Sequence, residues 1–237
     1  MPDALFLFDG LAAQIERAYK ELGYTLGWKL PYSPKSTQTK AQRLFFIDLN
    51  PGGDVYEHKS PSFEAGNAYL REDWGSGSGK SPLQIQVQQF YRELAEAMNN
   101  GADYQDLMNK SLAANYIPFC SPNWNSIDNK SRALEFFRLF WPTILDYCEP
   151  RVIISIAKEP YAHMSEILCD QGFTNIGEIC EQVNWGRAAY TFGRLSKGSR
   201  SIALLRLPHL SLYKIFSRAQ CQQPRQKAIA AIAQALD

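Results

Sequence analysis

The sequence predicts an α/β protein, a three-layer α/β/α sandwich around a central, mainly parallel, four-stranded sheet. Three observations predict it. Four short, mainly apolar runs recur along the chain: Leu44 to Leu49, Ala113 to Phe119, Val152 to Ala157 and Ile202 to Leu207. Between most of them lie longer stretches with apolar residues at helical spacing. The third run is β-branched and apolar throughout, as a strand is when helices cover both its faces. Strands alternating with helices pair in parallel. At 237 residues, one domain spanning 1–237 is expected.

Taken in order, Ala4 to Leu22 reads as an amphipathic helix, and Gly23 to Lys40, rich in Pro, Ser, Thr and Tyr, as a loop. The first strand follows. Pro51 to Pro82 is a long irregular stretch with six glycines, and so long a loop inside a compact domain points to function or mobility. Leu83 to Asn99 is a helix with Pro82 near its start. The second strand is closed by Ser121-Pro122-Asn123. Asp128 to Cys148 is a helix with Asp128 as its N-cap, and Pro142 is expected to kink or break it. After the third strand come a short helix over Pro160 to Asp170 and an ambiguous excursion, Phe173 to Phe192, that has room for a hairpin. The fourth strand and a closing helix, Gln222 to Leu236, complete the chain.

Composition narrows the function. Hydrophobic residues at 45% and aromatics at 13% supply a packed core and argue against disorder. No apolar run approaches a membrane span, and the first ten residues lack the basic start of a signal peptide. Five scattered cysteines, with no C-x-x-C pair, fit free thiols in a reducing cytoplasm. A cytoplasmic monomer without membrane contact is therefore expected. The net charge of +1 conceals an asymmetry: Gly186 to Leu236 holds nine Lys or Arg and no acid, whereas 16 basic and 23 acidic residues precede it. Such a cationic end suits a phosphate backbone, unless the acidic part offsets it in space.

Two motifs sit at strand ends, where open α/β sheets hold their ligands. Asn50-Pro51-Gly52-Gly53 follows the first strand. Alone it fits an ordinary β-turn, though it also presents an amide and bare backbone. Pro208-His209-Leu210-Ser211 follows the fourth strand and opens a run through Leu212, Tyr213, Lys214 and Arg218 that mixes hydroxyl, aromatic and basic groups. That mixture suits gripping phosphates while reaching between bases. Asn115 lies in the second strand run, at the head of Asn115-Tyr116-Ile117-Pro118.

These segments, in this order, resemble the uracil-DNA glycosylase superfamily, nearest its single-strand-selective and mismatch-specific branches. Asp48-Leu49-Asn50-Pro51-Gly52 resembles the first motif, Gly-x-Asn-Pro-Gly. His209-Leu210-Ser211 resembles the second, His-Pro-Ser, which precedes a DNA-intercalating loop. Asn115 falls where the single-strand-selective branch reads the pyrimidine edge, and Phe63 where it stacks on the base. The resemblance spans roughly Gln42 to Phe216. It implies a monofunctional DNA glycosylase that hydrolyses the N-glycosidic bond of a flipped pyrimidine. Asn50 and His209 would be catalytic. Phe63, Asn115, Gly52 and Gly53 would hold the base. Ser211, Leu212, Tyr213, Lys214 and Arg218 would bind DNA.

Three departures stand out: Asp48 for Gly, Leu210 for Pro, and the Gly-Ser-rich loop after Gly53. Asp48 shares a strand face with Asn50 and is either a further catalytic carboxylate or a structural acceptor for backbone N–H groups. A pocket without the usual turn could admit either a uracil-type base or a bulkier pyrimidine, including one from viral DNA. A non-catalytic DNA-binding module on the same fold and a hydrolase of small nucleosides are the competing readings. No metal or cofactor is expected. Gly75 to Ser81 lacks the first glycine of a P-loop and has no strand before it. Cys120 lacks the partners of a zinc deaminase. Trp124, Trp141 and Trp185 read as packing residues.

Overall fold

The computed structural model describes residues 4–40, 42–52, 66–76 and 79–237, with side chains from residue 10 onward. Its centre is one six-stranded mixed sheet. The strands are β1 (Leu44–Asp48), β2 (Leu112–Asn115), β3 (Val152–Ser155), β4 (Thr174–Gln182), β5 (Ala189–Lys197) and β6 (Arg200–Arg206), in the order β2-β1-β3-β6-β5-β4. The four strands expected from the apolar runs are the parallel ones. The expected strand count of four is corrected to six, because β4 and β5 form an antiparallel hairpin that extends the sheet beyond β6. It lies in the ambiguous excursion. Almost every residue of β4 is exposed, so burial left no apolar pattern there to read.

Helices α1 (Ala4–Glu21), α2 (Ala68–Arg71), α3 (Pro82–Met98), α4 (Tyr104–Asn109), α5 (Lys130–Cys148), α6 (Lys158–Asp170) and α7 (Gln222–Leu236) flank the sheet. Successive strand side chains point to opposite faces. Phe45, Ile47 and Ile153 join one apolar cluster with residues of α1, α5 and α6. Phe46, Val152 and Ile154 join another with α3 and α7.

Local chemistry explains the boundaries. Ser81 and Gln84 form a capping box around Pro82, which satisfies N–H groups at the start of α3. Asn99 ends it in the left-handed region, at φ 49°. Asp128 does not cap α5. Asn129 precedes the helix instead, also left-handed at φ 47°. Pro142 does not break α5, which continues as one helix to Cys148 while Trp141, Ile144 and Leu145 around it are buried in the core. The short helices α2 and α4 lie in stretches without a helical apolar repeat. Asn67 and Asp103 cap them by accepting from backbone N–H groups.

Candidate active site

The chain leaves β1 for β2 on one side and reaches β3 on the other, so strand order reverses at the carboxyl ends of β1 and β3. That is where open α/β sheets bind ligands. A cleft of about 600 Å³ opens at this rim. Asp48, Asn50, Gly52, Asn115, His209, Ser211 and Leu212 all line it. The first and last parallel strands thus deliver their motifs to one place.

Asp48 is the last residue of β1, in register with Asn115 at the end of β2. It is 5% exposed. Its Oδ1 accepts from the Leu49 N–H at 2.7 Å, and its Oδ2 from the Tyr69 hydroxyl at 3.2 Å. His209 Nε2 stands 3.7 Å from Oδ1. Burial pushes the Asp48 carboxyl above its ordinary value, opposed by His209, the Leu49 N–H and Tyr69. The sequence left Asp48 as a site carboxylate or a backbone acceptor. It has the contacts of both.

His209 is half-buried and lies three residues beyond β6. Its Nδ1 is 2.8 Å from Ser211 Oγ. The N–H groups of Leu212 and Tyr213 both donate to its carbonyl, closing a tight turn. Leu210, the departure from the expected proline, is fully buried in the core and anchors this turn. Asn50 donates Nδ2 to the Pro51 carbonyl at 2.9 Å, leaving Oδ1 as its acceptor. The same carbonyl accepts from the Ser121 N–H, which pins the motif to the segment after β2. Gly52 is exposed, and a Cβ there would meet nothing within 4 Å, so packing does not require glycine.

Asn115 is 1% exposed, and its Nδ2 has no hydrogen-bond partner among the described residues. A buried amide without a partner costs roughly 1–3 kcal/mol. Here it belongs to a residue of the cleft wall. Phe63 and Gly53, expected to hold the base, lie outside the described residues.

Among the expected DNA contacts, Leu212 stands 71% exposed at the cleft while Lys214 and Arg218 are exposed nearby. Tyr213 is half-buried and meets Trp185 edge-on, with ring centres 6.0 Å apart. Leu212 is therefore the more exposed of the two. The basic stretch is partly offset in space, as Arg225 pairs with Glu93, Lys227 with Glu181 and Arg200 with Glu149.

Sequence reasoning missed one wall. Tyr32, Tyr69 and Trp74 form a mutually packed aromatic group with ring centres 5.0–6.0 Å apart, and all three line the cleft. For Tyr69 and Trp74 the signal was the long loop before α3, and Tyr32 comes from the earlier loop, Gly23 to Lys40. Asn123 and Trp124 also line the cleft, the latter packing against the core as well. Trp141 is buried and donates Nε1–H to the Tyr116 carbonyl, a packing role as expected. Lys80, the lysine of the P-loop-like stretch, bonds the Glu72 carbonyl and Asp73.

No family model matches the chain, and no curated protein matches it. Among the described residues, no group of three or more His, Cys, Asp or Glu could hold a metal ion, and no helix is long and apolar enough to cross a membrane.

Proposed function

We propose that the chain is a monofunctional DNA glycosylase, hydrolysing the N-glycosidic bond of a flipped pyrimidine and leaving an abasic site. One observation carries the reading: Asp48, Asn50, Asn115 and His209, from three separate strand ends, line a single cleft, and the buried Nδ2 of Asn115 has no partner among the described residues. The helix–sheet–helix layering of the resembled superfamily fits the flanked sheet.

In this reading the base enters the cleft with its polar edge toward Asn115, whose Nδ2 donates to a ring carbonyl. Asn50 Oδ1 accepts from a water and aims its oxygen at C1′. An amide is a poor base, so its contribution is orientation. As the C1′–N1 bond breaks, its electron pair goes to the base. If Ser211 Oγ donates to Nδ1, the neutral His209 carries its proton on Nε2, facing the cleft. There it stabilises charge developing on the base O2. The Asp48 carboxylate, fixed beside it, favours the positive charge growing on the sugar and takes up the proton that water loses. Leu212 fills the vacated stack, and Lys214 and Arg218 contact phosphates. A cleft of about 600 Å³ supports a pyrimidine larger than uracil as well as uracil itself. A modified base of viral DNA is included, with the enzyme then serving defence.

The test uses oligonucleotides carrying uracil or 5-substituted pyrimidines, followed by alkaline cleavage of abasic sites. The expected result is cleavage of at least one substrate and a roughly 10²–10³-fold slower rate for His209→Ala. Undiminished activity in the Asn50→Ala/His209→Ala double variant would remove the mechanism. Salt-sensitive binding with no excision of any base would favour a non-catalytic DNA-binding module.

A further inference from the structure

We infer that the tip of the β4–β5 hairpin, together with the Lys214–Arg218 segment, forms a second DNA contact, a cationic ridge for phosphates flanking the extruded nucleotide. The polymer's identity rests on the glycosylase reading; the ridge itself rests on placement and charge. In the sheet register Thr191 faces Arg206, the last residue of β6. Residues 183–188, which precede β5, therefore project beyond the carboxyl end of β6, on the same rim as the cleft. The tip closes through Val183 N–H to the Ala188 carbonyl and Ala188 N–H to the Trp185 carbonyl. Asn184 and Gly186 take positive φ, 59° and 57°, which makes so tight a reversal possible.

This tip is joined to the loop after His209. Asn184 Nδ2 donates to the Gln220 carbonyl at 3.2 Å. Trp185 packs against Tyr213, the neighbour of the cleft residue Leu212. The Arg218 guanidinium lies 4.4 Å above the Trp185 ring centre. An exposed arginine held flat on an indole loses less freedom when it takes a phosphate, so Trp185 acts as a positioning residue. Arg187 at the tip and Lys214 beside the cleft are exposed, with no acidic partner among the described residues. Glu93 pairs with Arg225, which also donates to the Arg218 carbonyl, and Glu181 pairs with Lys227, so neither acid is left without a cation. The ridge is thus positive, continuous with the cleft mouth, and aromatic only where it holds an arginine. That combination suits a phosphodiester chain better than an apolar partner.

The experiment measures binding of the full chain to an unmodified labelled duplex across a salt titration. Arg187→Ala is expected to lower the slope of log K against log salt by about one, whereas Arg187→Lys retains it. Trp185→Ala and Arg218→Ala are each expected to weaken binding severalfold, and the double variant no more than the worse single one. Arg187 is exposed, so its variants read the ridge even if Trp185→Ala fails to fold. Wild-type slopes in Arg187→Ala overturn the inference. So does a slope change confined to single-stranded RNA, which would assign the ridge to another polymer. Excision assays on the same variants keep the two readings apart. An altered slope in a chain that excises nothing leaves the ridge and removes the glycosylase; normal excision with an unaltered slope does the reverse.

Discussion

In the proposed reaction, single residues carry the clearest consequences. Asn115, a residue of the cleft wall, holds a buried donor with no partner among the described residues. Asn115→Asp replaces that donor with an acceptor. Excision of a base with a 4-keto group is expected to fall about ten- to a hundredfold, from a loss of about 1–3 kcal/mol. A base with a 4-amino group should gain relative to it; an unchanged ratio between the two substrates would show that Asn115 does not read this edge. Asp48 has a pH signature. Burial raises its folded-state value above the ordinary 3.8. The stability associated with it is therefore full below 3.8 and is lost as pH rises through the raised value. Asp48→Asn should flatten that decline and leave the protein more stable than wild type at neutral pH, while excision falls. Denaturant midpoints measured from acid to neutral pH check the first part, and a wild-type curve that does not decline over this range contradicts it. Both residues were legible in sequence as strand-end polar groups. Their pairing across β1 and β2 was not, because register depends on which strands become neighbours.

At the scale of elements, the aromatic wall depends on an ion pair under the cleft. Lys29 is 2% exposed and its Nζ lies 2.5 Å from Glu72 Oε1. Burial lowers the Lys29 value and Glu72 partly restores it. Glu72 also accepts from Trp74 Nε1 at 2.5 Å. Glu72→Ala removes the carboxylate paired with a buried ammonium, and a destabilisation of about 3 kcal/mol is expected by urea denaturation. A change under about 1 kcal/mol would mean that Lys29 finds water or another partner. Nothing in the sequence linked Lys29 to Glu72, since both sit in stretches that read as loop. The hairpin teaches a similar lesson. Strands β1, β2, β3 and β6 announce themselves because their side chains are buried. β4 keeps most of its surface exposed, so only its turn residues, Asn184 and Gly186, hinted at it.

For the whole molecule, one sheet carries two apolar cores, one on each side. Neither core is complete without strand residues from β1, β3 and β6, so the two should not melt separately. Thermal unfolding followed by tryptophan fluorescence and by far-UV circular dichroism is expected to give one coincident transition. Two resolved transitions would divide the chain into independent units. The parallel strands, the long helices and the convergence of Asn50 with His209 were readable from apolar rhythm and strand-end motifs. The aromatic wall from Tyr32, Tyr69 and Trp74 was not. It assembles from distant loops, where no periodicity records which side chains will meet.

The fastening of Asp48 settles which part of the rim can yield. One of its oxygens is tied to the amide of the next residue and the other to a tyrosine anchored in the core. The carboxylate is a fixed post. Its imidazole neighbour has one hydrogen bond among the described residues, within its own short turn to Ser211, beside the 3.7 Å approach to Asp48. A molecule that reaches this end of the cleft meets an acid held at both oxygens and a ring held at Nδ1, and the turn that carries the ring also carries the exposed Leu212.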